Sequence, residues 1–192
     1  MLDIAAQHFG RRGFHAASMD DIARACGVTK PMLYAYFESK VGLFLAVVDR
    51  IGKELLLAVE KLLAVPDARK RLNAGTDLIL EFIVRDRHAW SVLYAEGLGD
   101  SGVARHVNGY RNRIVQLAAL TLGQARPIAL ATAGGRRRAE LYAVGLIGAG
   151  EAIARWWLDH GNATPEELQA MGRRMIDAIM ADFLAMPLSE GR

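Results

Sequence analysis

A short segment near the N-terminus concentrates hydrogen-bond donors and positive charge. Thr29, Tyr34 and Tyr36 carry hydroxyl groups, and Lys30 and Lys40 carry ammonium groups. Phosphate oxygens and the acceptor edges of nucleic-acid bases bind groups of this kind. The chemistry predicted for this segment is therefore recognition of a polyanion.

The rest of the sequence offers no comparable set for catalysis or metal binding. No nucleophile–base pair, carboxylate dyad or phosphate-binding loop stands at a useful spacing, which argues against an enzyme. The histidines His8, His15, His106 and His160 lack the mutual spacing of a metal site, so we expect no metal and no cofactor. The single cysteine, Cys26, excludes an intramolecular disulfide and favours a reducing compartment. We interpret it as a small buried hydrophobe.

The composition favours a globular protein. Hydrophobic residues make up 52% of the 192 residues and charged residues 23%, which argues against disorder and against a fibrous repeat. A net charge of +3 is compatible with a polyanionic partner but is weak support for one. The longest apolar run, residues 141–150, is about half of the roughly 20 residues that cross a bilayer, and the N-terminus lacks the zones of a signal peptide. We expect a soluble, cytoplasmic protein without a membrane partner.

Secondary structure must position the hydrogen-bond donors of the N-terminal segment, and the local sequence predicts two short helices there. Apolar residues recur at helical spacing along nearly the whole chain, which predicts an all-α fold. Ser18, with a carboxylate three residues later, begins a helix at Met19. Gly27 ends that helix, and Thr29 begins the next one with Pro31 in its first turn. The two helices therefore meet at a tight turn.

This pair has the residues that a helix-turn-helix requires. Ala23 is small enough for a close crossing, Gly27 tolerates an unusual backbone in the turn, and Ile22, Val28 and Leu33 can fix the crossing. In such a motif, the N-terminal half of the second helix enters a major groove. The outward positions there are Thr29, Lys30, Pro31, Tyr34 and Tyr36, and Lys40 follows.

The order and spacing of these residues resemble the N-terminal signature of TetR-family regulators. The matching positions are Gly13-Phe14, Ser18, Ile22-Ala23, Gly27-Val28-Thr29-Lys30, Leu33-Tyr34, Tyr36-Phe37 and Lys40. They cover about the first quarter of the chain, and the chain length and helical remainder also fit. The resemblance implies a three-helix DNA-binding domain over residues 1–39, containing the helix-turn-helix. It also implies a C-terminal helical domain over residues 40–192 for ligand binding and dimerisation.

The resemblance also assigns roles in DNA binding. It places Thr29, Lys30 and Pro31 near base edges and Tyr34, Tyr36 and Lys40 on phosphates, and Ser18 could join the phosphate contacts. Other interpretations stay open, because Ser18 and Thr29 could serve first as helix caps and Tyr34 as a core residue. Family members commonly carry a basic arm before the first helix. Only Met1 precedes Leu2 here, so arm contacts would be missing unless this sequence is N-terminally shortened.

The remaining helices are predicted from apolar periodicity and from their stop signals. The predicted ranges are 2–12 for the first helix, then 40–64, 68–85, 87–96, 103–122, 136–160 and 165–186, with a loop over 123–135. Thr164, Pro165 and Glu167 form a capping-box pattern at the start of the last helix.

A homodimer is expected because two helix-turn-helix units must reach half-sites roughly 34 Å apart on a palindromic operator. The last two helices carry small and apolar residues suited to an interface, although both faces could instead pack within one chain. The predicted interface residues are Leu141, Gly145, Gly148, Ala149, Ala152, Leu168, Met171, Met175, Ile179 and Phe183.

The resemblance further implies an effector pocket in the larger domain. The candidate lining residues are Phe82, Trp90, Leu93, Tyr94, Tyr110 and Trp156, with His88, Glu96 and Arg113 as polar anchors. A mostly apolar lining favours a hydrophobic or amphipathic small-molecule effector.

These expectations together predict a repressor that an effector releases from double-stranded operator DNA. An effector that prefers a conformation with badly spaced recognition helices must weaken operator binding by its own preference ratio. The long helix from Lys40 is expected to carry the motion. The alternative is a constitutive dimeric DNA-binding protein whose helical domain only dimerises.

Overall fold

The structure is a computed structural model that describes residues 1–94 and 101–185. Within those ranges the regular structure consists of ten α-helices and one 3₁₀ turn at Leu62–Ala64, and no strand occurs. The helices are α1 (Leu2–Ala16), α2 (Met19–Ala25), α3 (Lys30–Phe37), α4 (Lys40–Lys61), α5 (Ala68–Arg85), α6 (Arg87–Leu93), α7 (Ser101–Ala125), α8 (Pro127–Ala131), α9 (Ala133–His160) and α10 (Pro165–Ala185). The predicted all-α class is confirmed. Glu96 and Met186, the predicted ends of two helices, lie outside the described residues.

The two short helices begin and end as the local sequence predicts. Ser18 caps α2 by accepting a hydrogen bond from the Asp21 amide at 3.3 Å, and Thr29 caps α3 through the Met32 amide at 3.4 Å. Between them Gly27 has φ +68°, a left-handed conformation that residues with a Cβ atom adopt at a cost. Ser18 and Thr29 are therefore helix caps, as the capping interpretation predicts.

The predicted loop over 123–135 is wrong for most of its length. Helix α7 runs through Gly123 to Ala125, and α8 follows with Pro127 in its first turn. Gly123 serves close packing, because a Cβ atom there would stand 2.2 Å from Leu130 Cδ2. Gly135 lies in the first turn of α9, where its amide donates to Thr132 Oγ1 at 3.0 Å. A Cβ atom at Gly135 would also clash with the backbone oxygen of Ala129, so both glycines are needed for space. Their sequence pattern resembles that of a loop.

The chain forms two compact units. The first unit, residues 1–56 and 82–111, is built around an aromatic cluster in which the rings of Phe9 and Phe14 each lie 5.1 Å from Phe44. It combines the helix-turn-helix with part of α4, the end of α5, α6 and the start of α7. The predicted functional boundary after residue 39 stays a prediction.

Helix α6 packs closely on α1 within the first unit. A Cβ atom at Gly10 would stand 2.5 Å from the backbone oxygen of His88, so only glycine allows this approach. Arg11 Nε donates to His88 Nε2 at 3.3 Å beside it. Asp86 caps α6 by accepting from the Ala89 amide at 2.9 Å, which fixes where the helix begins.

The second unit comprises residues 57–81 and the described part of 112–192. Its core joins α5, α7, α8, α9 and α10. The buried core residues are Leu72, Val115, Ala118, Leu122, Ala129, Ala139, Ala143, Ile176, Met180 and Phe183. The Arg71 guanidinium is buried beside this core, where it donates to the Val65 carbonyl oxygen and to the side chains of Thr121 and Gln124.

Candidate DNA-binding site

Helix α3 has one buried anchor and a broad exposed face. Leu33 is completely buried and fixes the helix against the rest of the first unit. Tyr36 is 65% exposed and Tyr34 38% exposed. The other exposed predicted DNA-contact residues of this segment are Thr29, Lys30 and Pro31. Sequence reasoning missed Met32, an exposed side chain on the same short helix.

The hydroxyl groups of Ser18 and Thr29 act as helix caps and keep a further donor. In both caps the side-chain oxygen accepts a hydrogen bond from a backbone amide. A hydroxyl also carries one proton, which can be donated to a phosphate oxygen at the same time. Capping and phosphate binding are therefore compatible at these two residues.

Lys30 forms an ion pair across the helix-turn-helix. Its Nζ lies 2.8 Å from Asp20 Oδ2, so the pair joins the first residue of α3 to the first turn of α2. The hydrogen bond to Asp20 and the charge of that carboxylate raise the pKa of Lys30 above its ordinary value. Lys30 is thus positively charged at neutral pH and already has an anionic partner.

Lys40 has a structural partner as well. Its Nζ donates to the His15 carbonyl oxygen at 2.8 Å and lies 5.1 Å from the centroid of the Phe14 ring. The ammonium group thereby satisfies a carbonyl at the end of α1 and ties α1 to α4. A lysine has three donors, so phosphate binding requires Lys40 to share its ammonium group or to leave this position.

Two arginines, one on α1 and one on α2, share one carboxylate. Sequence reasoning missed these ion pairs. Arg12 Nη1 lies 2.8 Å from Asp21 Oδ2, and Arg24 Nη1 lies 3.4 Å from Asp21 Oδ1. The i,i+3 spacing of Asp21 and Arg24 on α2 could have revealed one pair. The other joins α1 to α2, and no local pattern predicts it.

The predicted ligand residues divide between the two units. Phe82, Trp90 and Leu93 are buried in the first unit, and the Trp90 ring stacks on Tyr94 at 4.0 Å. The Phe82 ring centroid lies 6.4 Å from that of Trp90, so the structure brings these aromatic side chains together. Glu96 lies outside the described residues, and a bound effector remains a prediction.

The other predicted ligand residues have different surroundings. His88 contacts Gly10 and Arg11 of α1, and Tyr110 donates to Asp49 Oδ1 at 2.9 Å. In the second unit Arg113 Nε lies 3.8 Å from Glu60 Oε1, with its side chain half exposed. Trp156 is exposed and its ring stacks on His160.

Asp49 of α4 receives two partners from α7. Tyr110 donates to Asp49 Oδ1, and His106 Nε2 lies 2.6 Å from the same oxygen. Burial raises the pKa of Asp49, but the hydrogen bonds from His106 and Tyr110 outweigh it and leave the net pKa below its usual value. For Tyr110, burial and the bond to Asp49 raise the pKa to about 12. The cluster fixes α7 to the helix that follows the helix-turn-helix.

The predicted dimer residues also differ in exposure. Leu141 is 63% exposed, and Gly145, Ala152 and Met171 are exposed too. Four others are half buried, namely Gly148, Ala149, Met175 and Ile179. Leu168 and Phe183 are buried within the second unit itself, so they pack beneath the exposed face. Val144 is a further exposed apolar residue on α9 that sequence reasoning missed.

Comparison with known proteins identifies the family. Residues 1–47 match the family model described as bacterial regulatory proteins, tetR family. Residues 68–182 match the model described as tetracyclin repressor-like, C-terminal domain. The HTH-type transcriptional activator FasR of Mycolicibacterium smegmatis is 33% identical over 162 residues, which cover 83% of this chain and 71% of that protein. The chain belongs to the TetR family of transcriptional regulators, as the resemblance predicted.

Solved structures agree with this fold over nearly the whole chain. A TetR-like transcriptional regulator from Rhodococcus sp. RHA1 is similar with a TM-score of 0.77 and 30% identity, covering 94% of this chain and 93% of that one. The regulator FadR from Bacillus subtilis, solved in complex with stearoyl-CoA, has a TM-score of 0.73 at 16% identity and covers 94% of this chain and 96% of that one. The second similarity concerns the fold alone.

None of the helices over 1–94 and 101–185 combines the length and apolar character needed to cross a membrane. In the same ranges, no three His, Cys, Asp or Glu side chains come together as a metal-binding group.

Proposed function

We propose that this TetR-family regulator is a cytoplasmic homodimeric repressor that a small hydrophobic or amphipathic effector releases from a palindromic operator. The observation that carries the proposal is the exposed face of α3, where Thr29, Lys30, Pro31, Tyr34 and Tyr36 surround the single buried anchor Leu33. An exposed helix of this composition suits the major groove and its bordering phosphates.

Each side chain on this face has a proposed role. Thr29, Lys30 and Pro31 lie at the N-terminal end of α3 and face the base edges. Tyr34 and Tyr36 donate their phenolic protons to phosphates, and Lys40 and Ser18 add contacts at the edge of the motif. Pro31 offers no amide hydrogen, so its contribution is apolar contact.

The dimer interface is proposed on the outer faces of α9 and α10. Leu141, Val144 and Met171 are exposed apolar side chains on these helices, and no side chain among the described residues lies within 4 Å of a Cβ position at Gly145. A partner helix could therefore approach closely and cover the apolar residues. Two recognition helices would then face successive major grooves.

The effector is proposed to be an acyl-coenzyme A thioester. The aromatic cluster of Phe82, Trp90 and Tyr94 favours an apolar group, and the similarly folded FadR was solved with stearoyl-CoA. An acyl thioester combines an apolar chain with a polar head, which suits the amphipathic class predicted from the sequence.

The proposal is tested by selecting bound duplexes from a random DNA pool and titrating the selected duplex with the full-length protein. Fluorescence anisotropy then follows release by stearoyl-CoA, with free coenzyme A and stearate as controls. We expect stearoyl-CoA to weaken operator binding by at least about tenfold, which corresponds to roughly 1.4 kcal/mol of coupling. If acyl-CoA thioesters of several chain lengths leave operator affinity unchanged, the proposal of an acyl-CoA effector is wrong. If further apolar ligands also fail, the constitutive DNA-binding alternative is favoured.

Activation of transcription is the second candidate, because FasR, the 33% identical relative, is described as an activator. A reporter placed downstream of the selected operator distinguishes the two modes. Repression predicts higher reporter output when the regulator is deleted, and activation predicts lower output.

A further inference from the structure

Two neighbouring aspartates at the start of α2 bind different cations. Asp21 is half-buried, and Arg12 at 2.8 Å and Arg24 at 3.4 Å occupy its two oxygens. Asp20 is more exposed and holds Lys30 at 2.8 Å. Consecutive helical residues point about 100° apart, which is why adjacent carboxylates serve different partners. Asp20 is thus the carboxylate that holds the one lysine in the first turn of α3.

We infer that Asp20 is a specificity-determining positioning residue, which restrains Lys30 and thereby lowers affinity for arbitrary DNA more than affinity for the operator. The inference rests on the proposed contact of Lys30 with base edges. It adds a residue that need not itself touch DNA. Asp20 acts by holding the Lys30 side chain in place and by offsetting its positive charge.

The physical reason lies in what a lysine does on arbitrary DNA. A free lysine has a long flexible side chain and binds phosphates of any sequence, which increases non-specific affinity. Lys30 must give up or share Asp20 before it reaches a phosphate. At an operator, the three donors of the ammonium group allow it to keep Asp20 while it donates to an acceptor on a base edge. A phosphate is an anion that the Asp20 carboxylate repels, whereas a base-edge acceptor is neutral, so the ion pair penalises non-specific binding more.

The test compares affinity for the selected operator with affinity for a scrambled duplex of equal length and composition, over a range of salt concentrations. In Asp20→Asn we expect affinity for the scrambled duplex to rise about two- to fivefold, the range of an exposed ion pair. Operator affinity should rise less. The specificity ratio, which is the affinity for the operator divided by the affinity for the scrambled duplex, should therefore fall. The slope of log affinity against log salt for the scrambled duplex should steepen by about one.

Asp3→Asn provides a matched control. Asp3 also occupies the second position of its helix, and it pairs with Arg50 at 2.8 Å in the same unit. The substitution removes one carboxylate and one ion pair of equal length, so it reproduces the change in net charge. The specificity ratio of Asp3→Asn should equal that of the wild type. Asp20→Glu, which keeps the carboxylate, should restore most of the ratio.

A double-mutant cycle with Lys30→Gln shows whether Asp20 acts through Lys30. In the Lys30→Gln background, Asp20→Asn should leave the specificity ratio and salt slope unchanged. An equal effect in both backgrounds would mean direct repulsion of DNA by the carboxylate and would overturn the inference. An unchanged ratio in Asp20→Asn would overturn it as well, with the proposed function intact. A wild-type protein that selects no duplex would instead overturn the proposed function, and this inference with it.

Discussion

The ring of Tyr110 on α7 lies directly against the backbone of Gly52 on α4. A Cβ atom at residue 52 would stand 2.6 Å from ring carbons Cγ and Cδ2, closer than real Cβ atoms approach another side chain. The Tyr110 hydroxyl also donates to Asp49, one turn earlier on α4. The pair therefore fixes the start of α7 on the helix that continues from the helix-turn-helix.

Gly52→Ala should destabilise the protein although alanine favours helices. Overpacking of a tight contact costs about 1–3 kcal/mol, which exceeds the gain of up to about 1 kcal/mol from helix propensity. Urea unfolding measures the change. Gly109→Ala is the control, because that residue lies in α7 and no atom of residues 1–94 or 101–185 outside its own helix turn comes within 4 Å of its Cβ position. Gly109→Ala should be neutral or stabilising, and equal effects of the two substitutions would contradict the packing argument.

Tyr110 should titrate late at alkaline pH. Burial and the bond to Asp49 raise its pKa from 10.0 to about 12, so the neutral phenol is favoured in the folded state. The stability it contributes is present below pH 10 and is lost as the pH rises through about 12. Tyr110→Phe should lower the free energy of unfolding at pH 7 by about 1 kcal/mol, and this difference should shrink towards pH 12. Absorbance of tyrosinate checks the assignment, because one late-titrating tyrosine should disappear in Tyr110→Phe.

The sequence reveals the helices and the motif because both depend on local patterns. Apolar periodicity predicts α5 and most of α9 and α10, and the caps Ser18 and Thr29 determine where the short helices begin. Local patterns do not predict the structure where packing against another helix determines the residue type. Gly123 therefore resembled a loop residue although it lies in α7.

The candidate site shows the same division. The exposed face of α3 follows from helical spacing, whereas the ion pair of Lys30 with Asp20 depends on how α2 and α3 cross. The bond from Lys40 to His15 likewise joins residues 25 positions apart. Such contacts form only when the helices pack together, so local patterns in a single sequence do not predict them.

The free energy of unfolding should decrease at acidic pH because His88 becomes protonated. Burial lowers the pKa of His88, and the nearby Arg11 and Arg87 lower it further while Asp86 opposes them. A folded-state pKa below the unfolded value means that the stabilisation is present above about pH 6.5 and is lost as the pH falls through the folded pKa. His88→Gln should therefore flatten the decline in unfolding free energy between pH 7.5 and pH 5. An equally steep decline in this variant would show that other groups cause it.

Substitutions in the DNA-binding face should separate hydrogen bonding from charge. Tyr34→Phe removes one donor, so it should weaken binding to all duplexes by about two- to tenfold and leave the salt slope unchanged. Lys40→Gln removes a charge and should flatten that slope by about one if Lys40 contacts a phosphate. It should also lower the unfolding free energy, because Lys40 holds the His15 carbonyl and contacts Phe14. Lost stability with an unchanged slope would make Lys40 purely structural.

The proposed dimer interface has a matched pair of test positions. Leu141 on α9 and Ile128 on α8 are 63% and 61% exposed, and both lie in the second unit. Leu141→Glu should place a charge inside the interface and convert the dimer to monomer, because an unpaired buried charge costs several kcal/mol. Ile128→Glu makes the same chemical change outside the proposed face and should leave the dimer intact. Sedimentation equilibrium of both variants measures the outcome. Dissociation by Ile128→Glu alone would move the interface from α9 and α10 to α8.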